Sequence, residues 1–132
     1  MMHNKIINLH ISLLPWNRGK DPNFWSFINS TPKGVSIHLI AKGLDTGNVI
    51  VQKHINLDEN TETFSTSYLK LHCEIVKLFK SNWNMIKNGL YITQLQHGEG
   101  SYHRGSELTA FLKGETMNWE SNVAEFKRKF IK

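Results

Sequence analysis

The sequence predicts an α/β fold. Three observations carry this prediction: a strand almost at the start of the chain, a β-branched hairpin near its middle, and a long amphipathic helix after the hairpin. The 132 residues suffice for one domain with a modest core. A hydrophobic share of 39% and a charged share of 20% are typical of a globular protein and differ from the composition of a disordered one.

The first half of the chain is predicted to contain three strands and a short helix. The first strand is "KIINLHI", and a loop punctuated by Pro15, Gly19 and Pro22 follows it. The segment "PNFWSFIN" is typical of a short helix with proline in its first turn, and its aromatic residues suit a core. "GVSIHLIA" and "VIVQKHINL" are β-branched strands on either side of the turn "KGLDTGN", so we expect a hairpin.

The second half is predicted to be mainly helical. Apolar residues recur at spacings of three, four and seven on one helical face: Phe64, Tyr68, Leu71, Ile75, Leu78, Met85 and Ile86. This spacing predicts one long helix that begins with a cap among residues 60–63 and stops at the "NG" of 88–89. Beyond it we expect a short strand "YITQLQ", a loop "GEGSYHRG" and a terminal helix "NWESNVAEFKRKF".

Charge, hydropathy and cysteine content indicate the kind of partner and the cellular compartment of the protein. Sixteen Lys and Arg against eleven acids give a formal charge of +5, which favours anionic partners, although much of the excess lies in the tail "FKRKFIK". No apolar run approaches the roughly 18 residues of a membrane span, so no membrane partner is expected. The start has no signal-peptide pattern, and Cys73 is the single cysteine. We therefore predict a cytoplasmic protein.

Three polar side chains alternate along the end of the first strand. Asn8, His10 and Ser12 are at positions i, i+2 and i+4, so they share one face of that strand. They also lie at its carboxyl end, where open α/β sheets place their ligands. The pattern therefore predicts a binding or catalytic site, within which Ser12 is expected to close a hydrogen bond in the following turn.

The pattern resembles the folate-dependent formyltransferase family, which includes phosphoribosylglycinamide, methionyl-tRNA and amino-sugar N-formyltransferases. The resemblance lies in "NLHISLLPWNRG" and in "GVSIHLIAKGLDTGNVIVQK", where His38 and Asp45 are separated by six residues. It implies that residues 1–132 form the second, catalytic half of a Rossmann-like domain with a mixed sheet and flanking helices. It also implies that the N-terminal, cofactor-binding half of the domain is absent.

The resemblance implies catalytic roles for Asn8, His10 and Asp45. An acceptor amine would attack the formyl carbon of 10-formyltetrahydrofolate, the formyl donor. An amide or imidazolium N–H stabilises the resulting oxyanion, and an imidazole with a nearby carboxylate moves the proton. Folate-side residues implied by the resemblance are His38, Gly43, Leu44 and Gly47, and no metal is expected. For His38, satisfaction of a backbone carbonyl is an equal alternative.

Several functional alternatives remain open. The loop "LLPWNRGKDPNFWSF" favours a small-molecule amine acceptor, specifically the amine of a nucleotide-linked sugar, over tRNA. Without its first half, the chain could instead be a non-catalytic remnant, and we expect it to self-associate or bind a complementary N-terminal half. A small RNA-binding protein is disfavoured, because the sequence has no RNA-binding fingerprint.

Overall fold

The computed structural model describes residues 6–131, so Lys5 of the predicted first strand lies outside it. Five strands and five helices follow one another in this range. They are β1 (Ile7–His10), β2 (Arg18–Gly19), α1 (Pro22–Ile28), β3 (Gly34–Leu39), β4 (Val49–His54), α2 (Phe64–Ser81), α3 (Trp83–Lys87), β5 (Tyr102–His103), α4 (Gly105–Leu112) and α5 (Val123–Phe130).

The main sheet has three strands in the order β1-β3-β4. Both pairings are antiparallel, and the predicted β3–β4 hairpin is confirmed, with a register shift between Ile37 and His38. The parallel pairing within the described range is β2 with β5, which form a second, two-stranded sheet. The α/β class is therefore confirmed, and the mixture of strand directions is divided between two small sheets.

Helices bury two apolar clusters. One lies between the hairpin and helices α2 and α3, and comprises Val35, Ile37, Leu71, Ile75 and Ile86. The other joins α1, α2, α4 and α5, and comprises Phe24, Trp25, Phe27, Phe64, Leu112, Val123 and Phe126. The prediction that the aromatic residues of α1 belong to the core is confirmed.

The predicted long helix is interrupted. Its N-cap is Thr63, inside the predicted range, and the Thr63 hydroxyl accepts a hydrogen bond from the Thr66 N–H. Helix α2 ends at Ser81, and at Asn82 both the side-chain Nδ2, at 2.8 Å, and the backbone N–H, at 3.2 Å, donate to the Leu78 carbonyl. The single helix expected to reach residue 88 is therefore wrong, and a separate α3 follows the break.

Three predictions for the C-terminal part also require correction. Residues 91–96 form no strand, because one isolated bridge, Val49 with Gln94, is their only ladder contact among the described residues. The predicted loop at 98–105 contains β5 and the first residue of α4, a helix that was not predicted. Helix α5 begins only after Asn122, which caps it by accepting from the Glu125 N–H. Of the helices in residues 6–131, none combines the length and apolarity needed to cross a membrane.

Candidate active site

The antiparallel pairing of β1 and β3 brings two predicted site residues together. Asn8 lies directly opposite His38, and the Asn8 amide Nδ2 is 3.3 Å from His38 Nε2. His10 projects from the same face of β1, two residues further on. The rings of His10 and His38 meet edge to face with their centroids 6.4 Å apart.

The hairpin turn places Asp45 against this group. One Asp45 carboxylate oxygen, Oδ1, lies 3.4 Å from Asn8 Nδ2 and 3.5 Å from His38 Nε2. The other, Oδ2, lies 3.7 Å from His10 Nε2. The structure therefore brings Asn8, His10, His38 and Asp45 into one cluster, although they come from two strands and a turn.

The hydrogen bonds fix which nitrogen of His10 carries a proton. His10 Nε2 is 2.9 Å from the backbone carbonyl of Asn17, and a carbonyl can only accept, so Nε2 is the donor. In the neutral ring Nδ1 is then unprotonated, and it makes no hydrogen bond within the described residues. Burial lowers the pKa of His10, whereas the Asn17 carbonyl and the Asp45 carboxylate partly offset that effect.

His38 has the opposite tautomer. Its Nδ1 donates to the Leu39 carbonyl at 2.9 Å, so Nε2 of the neutral ring accepts from Asn8. His38 is almost completely buried, with 1% of its surface exposed. The alternative that His38 satisfies a backbone carbonyl is therefore observed, and it holds together with a contact to Asn8.

Asp45 is held as a carboxylate. Burial would raise its pKa, but the contact with His38, the hydrogen bond from the Gly19 N–H and the positive charge that either histidine carries when protonated bring the pKa below its usual value. The Gly19 N–H donates to Asp45 Oδ2 at 2.8 Å. Asp45 also has a φ of 57°, in the left-handed region, a strained backbone that the surrounding contacts must maintain.

The other residues predicted for the folate side have different environments. Leu44 is exposed beside Asp45 and accessible to a ligand. Gly47 packs against the chain itself, since an added Cβ would lie 1.6 Å from the Leu39 carbonyl oxygen. A Cβ on Gly43 would meet the Thr46 side chain at 2.6 Å. Internal packing thus accounts for the glycine at position 47, and the folate-side role of both glycines stays a prediction.

Ser12 does not make the predicted side-chain hydrogen bond. Its hydroxyl is buried and has no partner in the described part of the chain. The bond at this position uses the Ser12 backbone carbonyl, which accepts from the Ser36 hydroxyl at 2.7 Å. The prediction is therefore wrong for the hydroxyl, and β3 anchors the turn through Ser36.

Three contributors to the site were not predicted. The Asn17 carbonyl and the Gly19 N–H act through the backbone, which side-chain patterns do not reveal. Gln96 donates through Nε2 to the carbonyls of Asp45 and Gly47, each at 2.8 Å. Its Oε1 accepts from Arg18 Nε and Nη2 at 3.0 and 2.7 Å. No sequence pattern indicates a functional role for Gln96, because it is the last residue of a segment that was predicted only as a short strand.

The cluster combines the groups that proton transfer requires. A neutral imidazole has one free nitrogen, an ionised carboxylate lies within 4 Å of its other nitrogen, and an amide donor is adjacent. Within residues 6–131, no group of three or more His, Cys, Asp or Glu side chains is arranged to hold a metal ion. Fold and site together define an α/β protein with a cluster of amide, imidazole and carboxylate side chains at the end of a strand.

The comparisons with known proteins assign this α/β protein to a family. The sequence model of the formyl transferase family, described as "Formyl transferase", matches residues 1–81. That match covers more than half of the chain, and the chain belongs to the formyl transferase family.

Two curated relatives differ in their acceptors. The methionyl-tRNA formyltransferase of Thermodesulfovibrio yellowstonii is 37% identical over 99 residues, which cover 73% of this chain and 31% of the relative. The GDP-perosamine N-formyltransferase of Brucella melitensis is 31% identical over 98 residues, covering 74% of this chain and 37% of the relative. The chain thus spans about a third of the length of these two relatives.

Solved structures give longer matches. The formyltransferase PseJ from Anoxybacillus kamchatkensis, in complex with UDP-4,6-dideoxy-4-formamido-L-AltNAc and tetrahydrofolate, is 45% identical. It superposes with a TM-score of 0.84 over 90% of this chain and 62% of its own. The N-formyltransferase from Helicobacter canadensis, in complex with folinic acid and dTDP-3-aminofucose, is 26% identical, with a TM-score of 0.78 over 96% of this chain and 48% of its own.

Proposed function

We propose that this chain carries the acid–base site of a folate-dependent N-formyltransferase. The observation that carries the proposal is the convergence of Asn8, His10 and Asp45, with contacts of 3.4 and 3.7 Å from Asp45 to the other two. The formyl donor would be 10-formyltetrahydrofolate, and Leu44, exposed beside Asp45, is available to contact its ring system. The tetrahydrofolate bound to PseJ supports this choice of donor.

The reaction would proceed through a tetrahedral intermediate. The acceptor nitrogen bonds to the formyl carbon, and the carbonyl oxygen becomes an oxyanion. His10 Nδ1 takes the proton that the amine loses and returns it to the folate nitrogen as the carbon–nitrogen bond to folate breaks. Asp45 stabilises the imidazolium formed in between, and the Asn17 carbonyl keeps Nε2 protonated and the ring oriented.

Asn8 would stabilise the oxyanion through its amide N–H. Both of its N–H groups face partners in the structure, His38 Nε2 at 3.3 Å and Asp45 Oδ1 at 3.4 Å. These separations are longer than those of strong N–H···O bonds, which are about 2.9–3.0 Å. A developing oxyanion at the usual distance would therefore compete well for one of the two donors.

For the acceptor, we propose the amine of a nucleotide-linked amino sugar. PseJ, with a UDP-linked formamido sugar in its crystal structure, is 45% identical to this chain over 90% of its length. The methionyl-tRNA formyltransferase from T. yellowstonii is 37% identical over 73% of the chain, which makes the methionyl amine of charged tRNA the second candidate. The two acceptors require the same chemistry at His10 and differ in what surrounds it.

We further propose that residues 1–132 correspond to the catalytic half of a formyltransferase domain whose folate pocket also needs an N-terminal half. The span of about a third of the curated relatives supports this proposal. The chain would then hold the proton-transfer groups, and the complementary half would complete the folate pocket. A non-catalytic remnant that only binds other chains is the alternative.

Product analysis tests these proposals. The chain, alone and mixed with the N-terminal half of a relative such as PseJ, is incubated with 10-formyltetrahydrofolate and either the UDP-linked 4-amino sugar or methionyl-tRNA. Mass spectrometry of the acceptor then reports the formamide. We expect formylation of the sugar in the mixture and its loss in Asp45→Asn. Formylation of methionyl-tRNA but not of the sugar would overturn the proposed sugar acceptor. No transfer in any mixture would favour the alternative that the chain is a non-catalytic remnant.

A further inference from the structure

The segment between α3 and β5, residues 88–101, contacts both loops of the candidate active site. We propose that Gln96 is a positioning residue that fixes the Asp45 turn relative to the loop of residues 15–20, and thereby sets the basicity of His10. For its effect on catalysis, this inference rests on the proposed formyl transfer. Its effect on His10 can be measured without turnover.

The amide of Gln96 makes four hydrogen bonds to two loops. Its Nε2 donates to the backbone carbonyls of Asp45 and Gly47, and its Oε1 accepts both bonds from Arg18. All four donor–acceptor distances lie between 2.7 and 3.0 Å, the range of good N–H···O bonds. The bonds use both amide hydrogens and the amide oxygen, so the side chain is committed to this arrangement.

Gln96 itself is held at both ends of its segment. Two residues before it, Gln94 exchanges backbone hydrogen bonds with Val49 at 2.8 and 2.9 Å. Five residues after it, the Ser101 carbonyl accepts from the Arg18 N–H, and the Ser101 hydroxyl accepts from the Asn17 N–H, both at 2.8 Å. The side chain therefore extends from a segment anchored to β4 on one side and to the 15–20 loop on the other.

Both loops touch His10. The loop of residues 15–20 provides the Asn17 carbonyl at 2.9 Å from Nε2, and the turn provides Asp45 Oδ2 at 3.7 Å. The two loops also bond directly, through the Gly19 N–H and Asp45 Oδ2. Asp45 has a left-handed backbone, which costs energy unless its neighbours over-determine it. The bonds of Gln96 to the carbonyls of Asp45 and Gly47 are such contacts.

A displaced Asp45 would change the proton affinity of His10 in a known direction. The carboxylate raises the pKa of His10, whereas burial and the neighbouring His38 lower it. Release of the turn removes the charge of Asp45 and leaves burial and His38 opposed only by the hydrogen bond to the Asn17 carbonyl. The pKa of His10 should therefore fall when Gln96 is lost, as it should in Asp45→Asn.

The test is an NMR titration of the histidine ring signals in the full chain. Gln96→Met keeps the length of the side chain and removes all four hydrogen bonds. Gln94→Met is the matched control, because Gln94 has the same residue type and an exposed side chain two positions away. The signal of His10 is assigned by its disappearance in His10→Gln. We expect the pKa of His10 to fall in Gln96→Met, as in Asp45→Asn, because the neighbouring negative charge moves away, and to stay unchanged in Gln94→Met.

Two further variants test which hydrogen bonds of Gln96 matter and replace Gln96→Met if it does not fold. Arg18→Met cuts the link from Gln96 to the loop but keeps the Gln96 donors to the turn, so the pKa of His10 should fall less than in Gln96→Met. If Gln96→Met does not fold, Gln96→Asn, one methylene too short to reach both loops, takes its place with the same expected fall. An unchanged pKa of His10 in a folded Gln96 variant would overturn the inference, as would a larger fall in Arg18→Met than in Gln96→Met.

The kinetic result is read separately. In the mixture that formylates the acceptor, Gln96→Met should lower kcat by up to about 100-fold, the effect of an ångström-scale displacement. KM for 10-formyltetrahydrofolate should change much less. An inactive wild-type mixture would count against the proposed function, whereas the titration would still decide the role of Gln96.

Discussion

At the scale of single residues, the two imidazoles of the site differ in their free nitrogen. Carbonyl acceptors fix both tautomers: Asn17 bonds Nε2 of His10, and Leu39 bonds Nδ1 of His38. His38 then uses its remaining nitrogen to accept from Asn8, whereas Nδ1 of His10 stays without a bond within the described residues. His10 is therefore the better acid–base candidate, and His38 orients the amide of Asn8.

The first prediction concerns turnover. In the active mixture, His10→Gln should reduce kcat by about 10²–10⁴-fold, the usual contribution of a general acid–base group. His54→Gln, at the exposed end of β4, is the control and should retain wild-type activity. The measurement is the initial rate of formamide formation at saturating acceptor. A near-normal rate for His10→Gln would exclude the proposed proton transfer.

The second prediction concerns the pH dependence of stability. Burial lowers the pKa of folded His10 below its ordinary value of 6.5, so the unfolded chain binds the proton more tightly. Stability from His10 is therefore complete above about pH 6.5 and is lost as the pH falls through the folded pKa. Urea unfolding of wild type and His10→Gln between pH 7 and 5 checks this. The wild-type free energy of unfolding should fall more steeply, and equal slopes would contradict the prediction.

The depressed pKa of Asp45 acts at lower pH. Its contribution to stability is present above the ordinary value of 3.8 and is lost as the pH falls through the folded pKa. Asp45→Asn should therefore flatten the unfolding profile below about pH 4, a window separate from that of His10. A profile unchanged by Asp45→Asn would show that the carboxylate has the same pKa in both states.

The sequence predicted part of this site. The period of two along β1 was sufficient to place Asn8 and His10 on one face. Asp45 was predicted from the family motif, because no local pattern shows which turn lies next to the face that carries Asn8 and His10. Gln96, 51 positions from Asp45, could not be predicted, since its partners are backbone carbonyls whose location depends on the whole fold.

At the scale of elements, the β3–β4 hairpin depends on close backbone packing in its turn. Gly47 approaches the Leu39 carbonyl so closely that an added Cβ would lie 1.6 Å from the oxygen. The Leu39 N–H also donates to the Asn48 carbonyl at 2.9 Å, which closes the turn below Asp45. The geometry of the turn therefore requires a glycine, and the position of Asp45 depends on it.

The third prediction follows from this contact. Gly47→Ala should destabilise the protein by about 1–3 kcal/mol, the cost of overpacking, and should move the Asp45 turn. Gly105→Ala is the control: its Cβ would meet nothing closer than 3.9 Å, and alanine favours the first turn of α4. Chemical denaturation measures both variants. Equal stability of the two would refute the packing argument.

The elements differ in how well the sequence predicted them. Strands β1, β3 and β4 and the start of α2 carry strong local signals, namely β-branched runs and the Thr63 cap. The break at Asn82 lies within an otherwise helical apolar pattern, and one side-chain hydrogen bond to the Leu78 carbonyl accompanies it. Helix α4 was missed because its first residue is a glycine, and its Arg104–Glu107 cap has no Ser, Thr, Asp or Asn.

At the scale of the whole molecule, the outer edge of β1 and one apolar face are uncovered within the described residues. Within residues 6–131, no strand pairs with the outer edge of β1. On the face opposite Asn8 and His10, Ile11 of the chain after β1 lines a cavity of about 550 Å³ with aromatic residues and Leu69 of α2. Leu69 is 61% exposed and Leu9 of β1 is 37% exposed. Unpaired edges and apolar patches of this kind favour association.

The fourth prediction is that the chain associates through this edge and face. The purified chain should sediment as a dimer or larger species at micromolar concentration, and the complementary N-terminal half should convert it to a defined complex. Leu9→Lys and Leu69→Lys should weaken association, because each places a charge on the apolar surface. Leu90→Lys, at an exposed position outside the cavity lining, is the control and should not. Sedimentation measures the association, and folate titration measures whether the chain binds the donor without a complementary half. A stable monomer that binds 10-formyltetrahydrofolate tightly and formylates the amino sugar would show that no complementary half is needed.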